Sequence, residues 1–197
     1  MELVVIRHAL PIQRVTEDGA PADPPLSEVG QRQAQLLARW LIDEHFDAVY
    51  SSPLLRALQT SEPLANAKGL EVAVHPGVAE LDQDSNSYIP LEDLKRTDYQ
   101  LWRQMMEEKR FGDGDPFAFR ETVAEAMSEI AARHRGKRVA VVCHGGVINA
   151  WASHILGLDD VYFFDPTYTS INRFMVASTG QKSIVSLNEA AHLRGLE

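Results

Sequence analysis

A single cysteine, Cys143, is all the thiol the chain contains, so no intrachain disulfide can form and cysteine usage leaves the redox compartment open. No apolar run is long enough to span a membrane. Met1-Glu2 leads straight into a strand-like run without the basic and apolar regions of a signal peptide, so a soluble cytoplasmic protein is expected. Basic residues are scarce: 19 Lys and Arg against 28 Asp and Glu leave a net charge of −9, which argues against nucleic acid or an anionic membrane as the main partner. Repeats, heptads and low-complexity tracts are missing, and proline and glycine fall singly at element boundaries. With 197 residues, 45% of them hydrophobic, residues 1–197 are expected to form one domain with a sizeable core. His45, His75, His134, His154 and His192 show no metal-ligand spacing, and Gly112-Asp113-Gly114-Asp115 is too short for a calcium loop. Neither a metal nor a cofactor is expected, and the pattern does not speak to oligomeric state.

What is present is an alternation of strand-like and helical segments. Leu3-Val4-Val5-Ile6 and Arg138-Val139-Ala140-Val141-Val142 read as buried parallel strands, with Asp47–Tyr50 as a short strand and Leu70–Val74 as an edge strand. Ile171–Val176 and Ser183–Leu187 read as closing strands. One helix is expected from a Ser27 cap toward Phe46. A second begins after the hydroxyls of Ser51-Ser52 before Pro53, ends at Gly69, and is expected to be kinked or shortened by Pro63. A third runs from about Phe117 to His134. The alternation predicts a three-layer α/β/α sandwich around a mainly parallel sheet. Residues from about 82 to 115, polar and then helical from Leu91 through Met106, read as a short inserted lid.

Arg7-His8 closes the first apolar run, and Cys143-His144-Gly145-Gly146 closes the later one. Each strand therefore delivers a histidine to its carboxyl end, where open α/β sheets bind ligands. A neutral imidazole can attack phosphorus, and an adjacent guanidinium can neutralise phosphoryl oxygens. Arg56 falls in the first turn of a helix that starts at the same rim, where free N–H groups and the positive end of the dipole favour an anion. Glycines at 145 and 146 let the backbone approach a ligand closely. Cys143 borders this region but reads as a small buried hydrophobe, and Trp40, Trp102 and Trp151 read as packing residues, Trp102 also lying where a lid could touch substrate.

Together these segments resemble the histidine phosphatase superfamily, the phosphoglycerate mutase-like proteins, over most of the chain. Arg7-His8 is similar to the nucleophile motif. Leu26-Ser27-Glu28-Val29-Gly30 with Gln33-Ala34, Ser51-Ser52-Pro53 with Arg56-Ala57 and Gln59-Thr60, and Val142–Ile148 are similar to the motifs that follow it in order. The resemblance implies that His8 becomes phosphorylated while Arg7, Arg56, His144 and Gly145 surround the phosphoryl group, with no metal required. It also implies a carboxylic acid after the edge strand. Glu80, in Pro76-Gly77-Val78-Ala79-Glu80, fits that position, with Asp82 as its rival. Ala9 stands where the family usually has glycine. Pro11 and Arg14 stand where mutase-like members carry a hydroxyl residue and an asparagine, and Arg14 either replaces those contacts or lies in solvent. Asn149 replaces a common basic residue, a change expected to touch only the helix surface. The function implied is a phosphatase acting on a small phosphorylated substrate through phosphohistidine. A phosphomutase of the phosphoglycerate mutase type is the alternative, and a non-catalytic phospholigand-binding module on the same fold is a third reading.

Overall fold

The computed structural model describes residues 1–108 and 114–195. Four strands lie parallel: β1 (Glu2–Arg7), β3 (Ala48–Ser51), β4 (Val72–Val74) and β6 (Arg138–Cys143). Two more, β7 (Ile171–Val176) and β8 (Lys182–Glu189), add antiparallel on the β1 side, so the sheet runs β4-β3-β6-β1-β7-β8. The two central strands are continuous apolar runs because both of their faces are covered. Leu3, Val5, Val139, Val141 and Cys143 pack against helices α5 (Pro116–Arg133) and α6 (Gly145–Leu156). Val4, Ile6, Ala140 and Val142 pack on the opposite face against α1 (Glu28–Trp40) and α2 (Leu55–Lys68). The expected three-layer sandwich is the observed one, with β4 at one edge as anticipated.

The helix ends show where local rules held. Ser27 Oγ accepts from Gly30 N at 3.0 Å and donates to Leu10 O at 2.9 Å, which docks the start of α1 on the loop leaving β1. A Cβ at position 30 would lie 2.0 Å from Leu10 O, so only glycine permits that approach. Gly69 ends α2 in the left-handed conformation at φ 65°.

Other expectations change. Helix α1 stops at Trp40 in a turn rather than running toward Phe46, and Trp40 is 52% exposed instead of packed. Pro63 neither breaks nor shortens α2, because the buried Leu64 and Ala65 keep the following turn against the core. The helical stretch from Leu91 divides into α3 (Leu91–Thr97) and α4 (Tyr99–Glu108) at Asp98, whose carboxylate accepts from Leu101 N at 3.0 Å. Two short strands, β2 (Arg14–Val15) and β5 (Ser87–Tyr88), pair antiparallel and tie the loop after β1 to the segment that precedes α3. The predicted lid extends across residues 109–113, and Gly112 and Asp113 of the loop considered above lie with them outside the described residues. Among the described residues no helix is long and apolar enough to cross a membrane.

On strand β7, Arg173 joins three carboxylates. Its guanidinium pairs with both Glu44 oxygens at 2.8 and 2.6 Å, with Glu2 at 3.3 Å and with Glu189 at 3.2 Å. The Arg173 hydrogen bonds hold the Glu44 carboxyl below its ordinary pKa, against the opposing effect of partial burial. A depressed carboxyl pKa stabilises the fold above the unfolded value and loses that contribution as pH falls. Glu44→Gln should therefore cost about 1–2 kcal/mol near neutrality, and urea titrations should show the gap to wild type closing as pH drops below the ordinary carboxylate range.

Candidate active site

Three neighbouring strand ends build the rim. In the order β3-β6-β1, they present Ser52, His144 and His8, each one residue beyond its strand; Arg7 pairs with Cys143 and Ser51 with Val142 in the parallel registers. The His8 and His144 rings lie 5.0 Å apart and both residues are buried. His8 Nδ1 is 2.8 Å from Ala9 O. A carbonyl can only accept, so Nδ1 carries the hydrogen and Nε2 presents a bare lone pair. Burial, and then the fields of Arg56 and Arg7, push the His8 pKa well below its ordinary value, so the ring is neutral at neutral pH. The turn is fixed from α2, since Ala9 N donates to Thr60 Oγ1 at 2.9 Å and that hydroxyl donates to Arg56 O at 2.7 Å.

Arg7 and Arg56 are 6% and 2% exposed, unusual burial for guanidinium groups. The Arg7 Cζ lies 3.9 Å from the centre of the Tyr168 ring, and its Nη1 donates to Pro166 O and lies 3.6 Å from Asp165. The Arg56 Cζ lies 4.6 Å from the Tyr88 ring centre, its Nη1 is 3.9 Å from Asp23, and its Nε has no hydrogen-bond partner among the described residues. Asp23 also caps α2 from outside, both carboxylate oxygens accepting from Leu55 N at 2.9 and 3.0 Å. Ser51 and Ser52, whose hydroxyls precede this helix, supply no cap of their own: Ser52 Oγ accepts only weakly from Leu54 N, at 3.3 Å, and Ser51 Oγ donates to Ser52 O. Tyr168 is aimed by an unusual turn in which Thr169, a β-branched residue, adopts φ 58°. Such a conformation costs roughly 1–3 kcal/mol and needs surrounding support. Thr169 Oγ1 bonds Tyr168 O and His192 Nε2, and Thr169 N donates to His8 O.

A carboxyl pair completes the site. Glu80 Oε2 accepts from Gly146 N and Oε1 from Leu81 N, both at 3.0 Å. A Cβ at 146 would lie 2.1 Å from Glu80 Oε1, so the glycine is what admits the carboxyl, whereas Gly145 lies at ordinary contact with Arg7 Nε, 3.6 Å from its would-be Cβ. Burial first and the neighbouring Asp82 second push the Glu80 pKa up to about 7. Asp82 is raised as well, chiefly by burial.

The model of the histidine phosphatase superfamily (branch 1) matches residues 3–190. The chain belongs to that superfamily. It is 30% identical over 202 aligned residues to phosphoserine phosphatase 1 of Hydrogenobacter thermophilus, covering 98% of this chain and 94% of the relative. It is 28% identical to a probable phosphoglycerate mutase GpmB of Yersinia enterocolitica over 80% of this chain and 76% of that one. Its fold is similar to that of a phosphoserine phosphatase from Entamoeba histolytica solved with 3-phosphoglyceric acid, at TM-score 0.75, 24% identity and 98% coverage of both chains. The expected family and fold are borne out.

In this histidine phosphatase the structure brings Arg7, His8, Arg56, Glu80, His144 and Gly145 to one rim. Cys143 is buried beside them, and burial raises its thiol pKa well above the ordinary value. Arg14 is exposed and donates to Asp23 O at 3.2 Å. Trp102 stacks on Tyr99 under Lys95, and Trp151 is fully buried. Asn149 overturns the surface expectation. It is 3% exposed, its Nδ2 donates to Gly145 O and Phe164 O, and its Oδ1 accepts from Phe163 N and Phe164 N, seating the segment that leads to Asp165 and Tyr168.

The carboxyl pair yields a direct test. Asp82→Asn removes a like charge but leaves burial, so the Glu80 carboxyl should titrate below about 7 yet above the ordinary glutamate range. Carboxyl carbon NMR titration would reveal it; an unmoved Glu80 would show that Asp82 does not act on it.

Proposed function

We propose that this histidine phosphatase hydrolyses a small phosphomonoester in two steps through a phosphohistidine on His8, within one domain and without a need for a metal. In the first step the His8 Nε2 lone pair forms the N–P bond as the ester P–O bond breaks, and the Glu80 carboxyl gives its proton to the leaving oxygen. In the second, water attacks phosphorus, the N–P bond breaks, and the proton lost by water goes to Glu80, restoring the acid. Arg7, Arg56, the His144 ring and the α6 N–H groups at Gly145 meet the charge on the equatorial oxygens, where phosphoryl transfer gains most of its catalysis.

The observation that carries this reading is the 2.8 Å contact of His8 Nδ1 with Ala9 O. The Nδ1 hydrogen is committed to Ala9 O and the His8 pKa is depressed, so Nε2 is unprotonated between two buried guanidiniums. A module that only bound phosphate would gain more from a cationic imidazole. A carboxyl titrating at about 7 suits both steps at neutral pH, being protonated often enough to act as acid and ionised often enough to act as base. Relatives named for phosphoserine and for phosphoglycerate support a small phosphorylated metabolite as substrate.

Enzyme quenched in base during turnover should carry an acid-labile phosphoryl group on His8, absent from His8→Ala. Glu80→Gln should slow single-turnover phosphoenzyme formation from alkyl phosphates by about 10²-fold while sparing its formation from p-nitrophenyl phosphate, whose leaving group needs little protonation. Label on another residue, or equal losses on both substrates, would overturn the assignment. Return of the label to phosphoglycerate in preference to water would identify a mutase.

A further inference from the structure

We propose that Ser52 is a positioning residue that fixes the tautomer of His144, holding the hydrogen on Nδ1 so that a neutral imidazole donates a hydrogen bond to the phosphoryl group. The inference deepens the phosphatase reading and rests on it for the identity of the acceptor. Its foundation is the hydrogen-bond geometry at the strand ends. His144 Nε2 lies 2.7 Å from Ser52 Oγ, and both residues are fully buried. Distance alone does not say which atom donates.

The remaining partners decide the direction. Ser52 Oγ already accepts from Leu54 N at 3.3 Å, and the His144 ring is the only acceptor within reach of its hydroxyl hydrogen among the described residues. If His144 Nε2 were the donor, the Ser52 hydroxyl hydrogen would be buried without an acceptor, an expensive arrangement. If Ser52 donates, its lone pair serves Leu54 N, its hydrogen serves Nε2, and every polar atom of the serine side chain is used. Nε2 is then the acceptor, and the ring hydrogen of the neutral form must sit on Nδ1.

That nitrogen is the one left over. His144 Nδ1 is buried and has no hydrogen-bond partner among the described residues, in a ring 5.0 Å from that of His8. A buried N–H without an acceptor is a cost in the free protein, and it becomes a donor ready-made for an anionic oxygen. Burial together with Arg56, His8 and Arg7 disfavours a charged ring, which is consistent with donation from a neutral imidazole. Both histidines thus share one tautomer with opposite consequences: His8 turns its bare Nε2 toward the reacting atom, while His144 turns its N–H toward the group being transferred.

Nitrogen-15 NMR of the imidazoles in the phosphate-free enzyme reads the tautomer directly and needs no turnover. Wild type should show His144 protonated at Nδ1 and bare at Nε2. Ser52→Ala should move the hydrogen toward Nε2, and it should weaken vanadate binding and lower kcat/KM by about tenfold because the binding-competent tautomer becomes a minor population. Ser52→Thr, which keeps the hydroxyl, should restore both the tautomer and the affinity. A wild-type His144 protonated at Nε2 or at both nitrogens would overturn the proposal, as would a Ser52→Ala enzyme with unchanged tautomer and vanadate affinity. Failure of the phosphatase reading would appear separately, as the lack of label on His8 with the His144 tautomer intact.

Discussion

Two guanidinium groups held almost out of water beside two imidazoles set the terms for the rest of the rim. A buried cation is costly unless other groups replace its hydration. Arg7 finds the face of Tyr168, the carbonyl of Pro166 and the carboxylate of Asp165. Arg56 finds the face of Tyr88 and the carboxylate of Asp23. Aromatic faces attract a cation without contributing a full negative charge, so the arginines are held in place while much of their field remains available to a phosphoryl group. Their partners come from widely separated segments, and in this way the loop after β1, the segment that carries β5 and the loop before β7 are all fastened around one pair of charges.

Several residues that look peripheral become necessary once this is seen. Asn149 satisfies its whole amide against Gly145 and the Phe163-Phe164 backbone, and the segment it seats goes on to supply Asp165, Pro166 and Tyr168 to Arg7. Thr169 sits in a left-handed conformation that a β-branched residue avoids, and it is held there by bonds to His192 and to the backbone of His8. Strain of this kind persists only where neighbours over-determine it. Here the neighbours are the backbone just past β1 and the short 3-10 turn at Ala191–Leu193.

The parts of this structure legible in the sequence were those whose cause is local. Leu3–Ile6 and Val139–Val142 announced a doubly covered sheet because nothing polar interrupts them, and Arg7-His8 and His144-Gly145-Gly146 could be placed because a strand end has a fixed address. Ser27 and Gly69 ended helices by short-range geometry. Asp23 could not be found in this way: it caps α2 from 32 residues upstream, while the adjacent serines, which look like caps, are turned to other work. Asn149 was misplaced for a related reason, since residue type and helix spacing do not reveal that a loop returns to cover that face. β2 and β5, of two residues each, are too short to show any period.

Desolvation by the same fold has opposite effects on the two kinds of titratable group in this site, and both effects favour the neutral form. It lowers the pKa of His8 and His144 and raises that of Glu80. Both arginines reinforce the first effect and Arg56 opposes the second, while Asp82 raises the Glu80 pKa by more than Arg56 lowers it. A site with arginines alone would keep its histidines neutral but drive the carboxyl toward ionisation; a site with carboxylates alone would favour an acid but tend to protonate the histidines. Placing Arg7 and Arg56 around the rings, and Asp82 beside Glu80, lets an unprotonated imidazole nitrogen and a protonated carboxyl coexist near neutrality in one buried volume. Phosphoryl transfer with a poorly leaving alkoxide needs that combination.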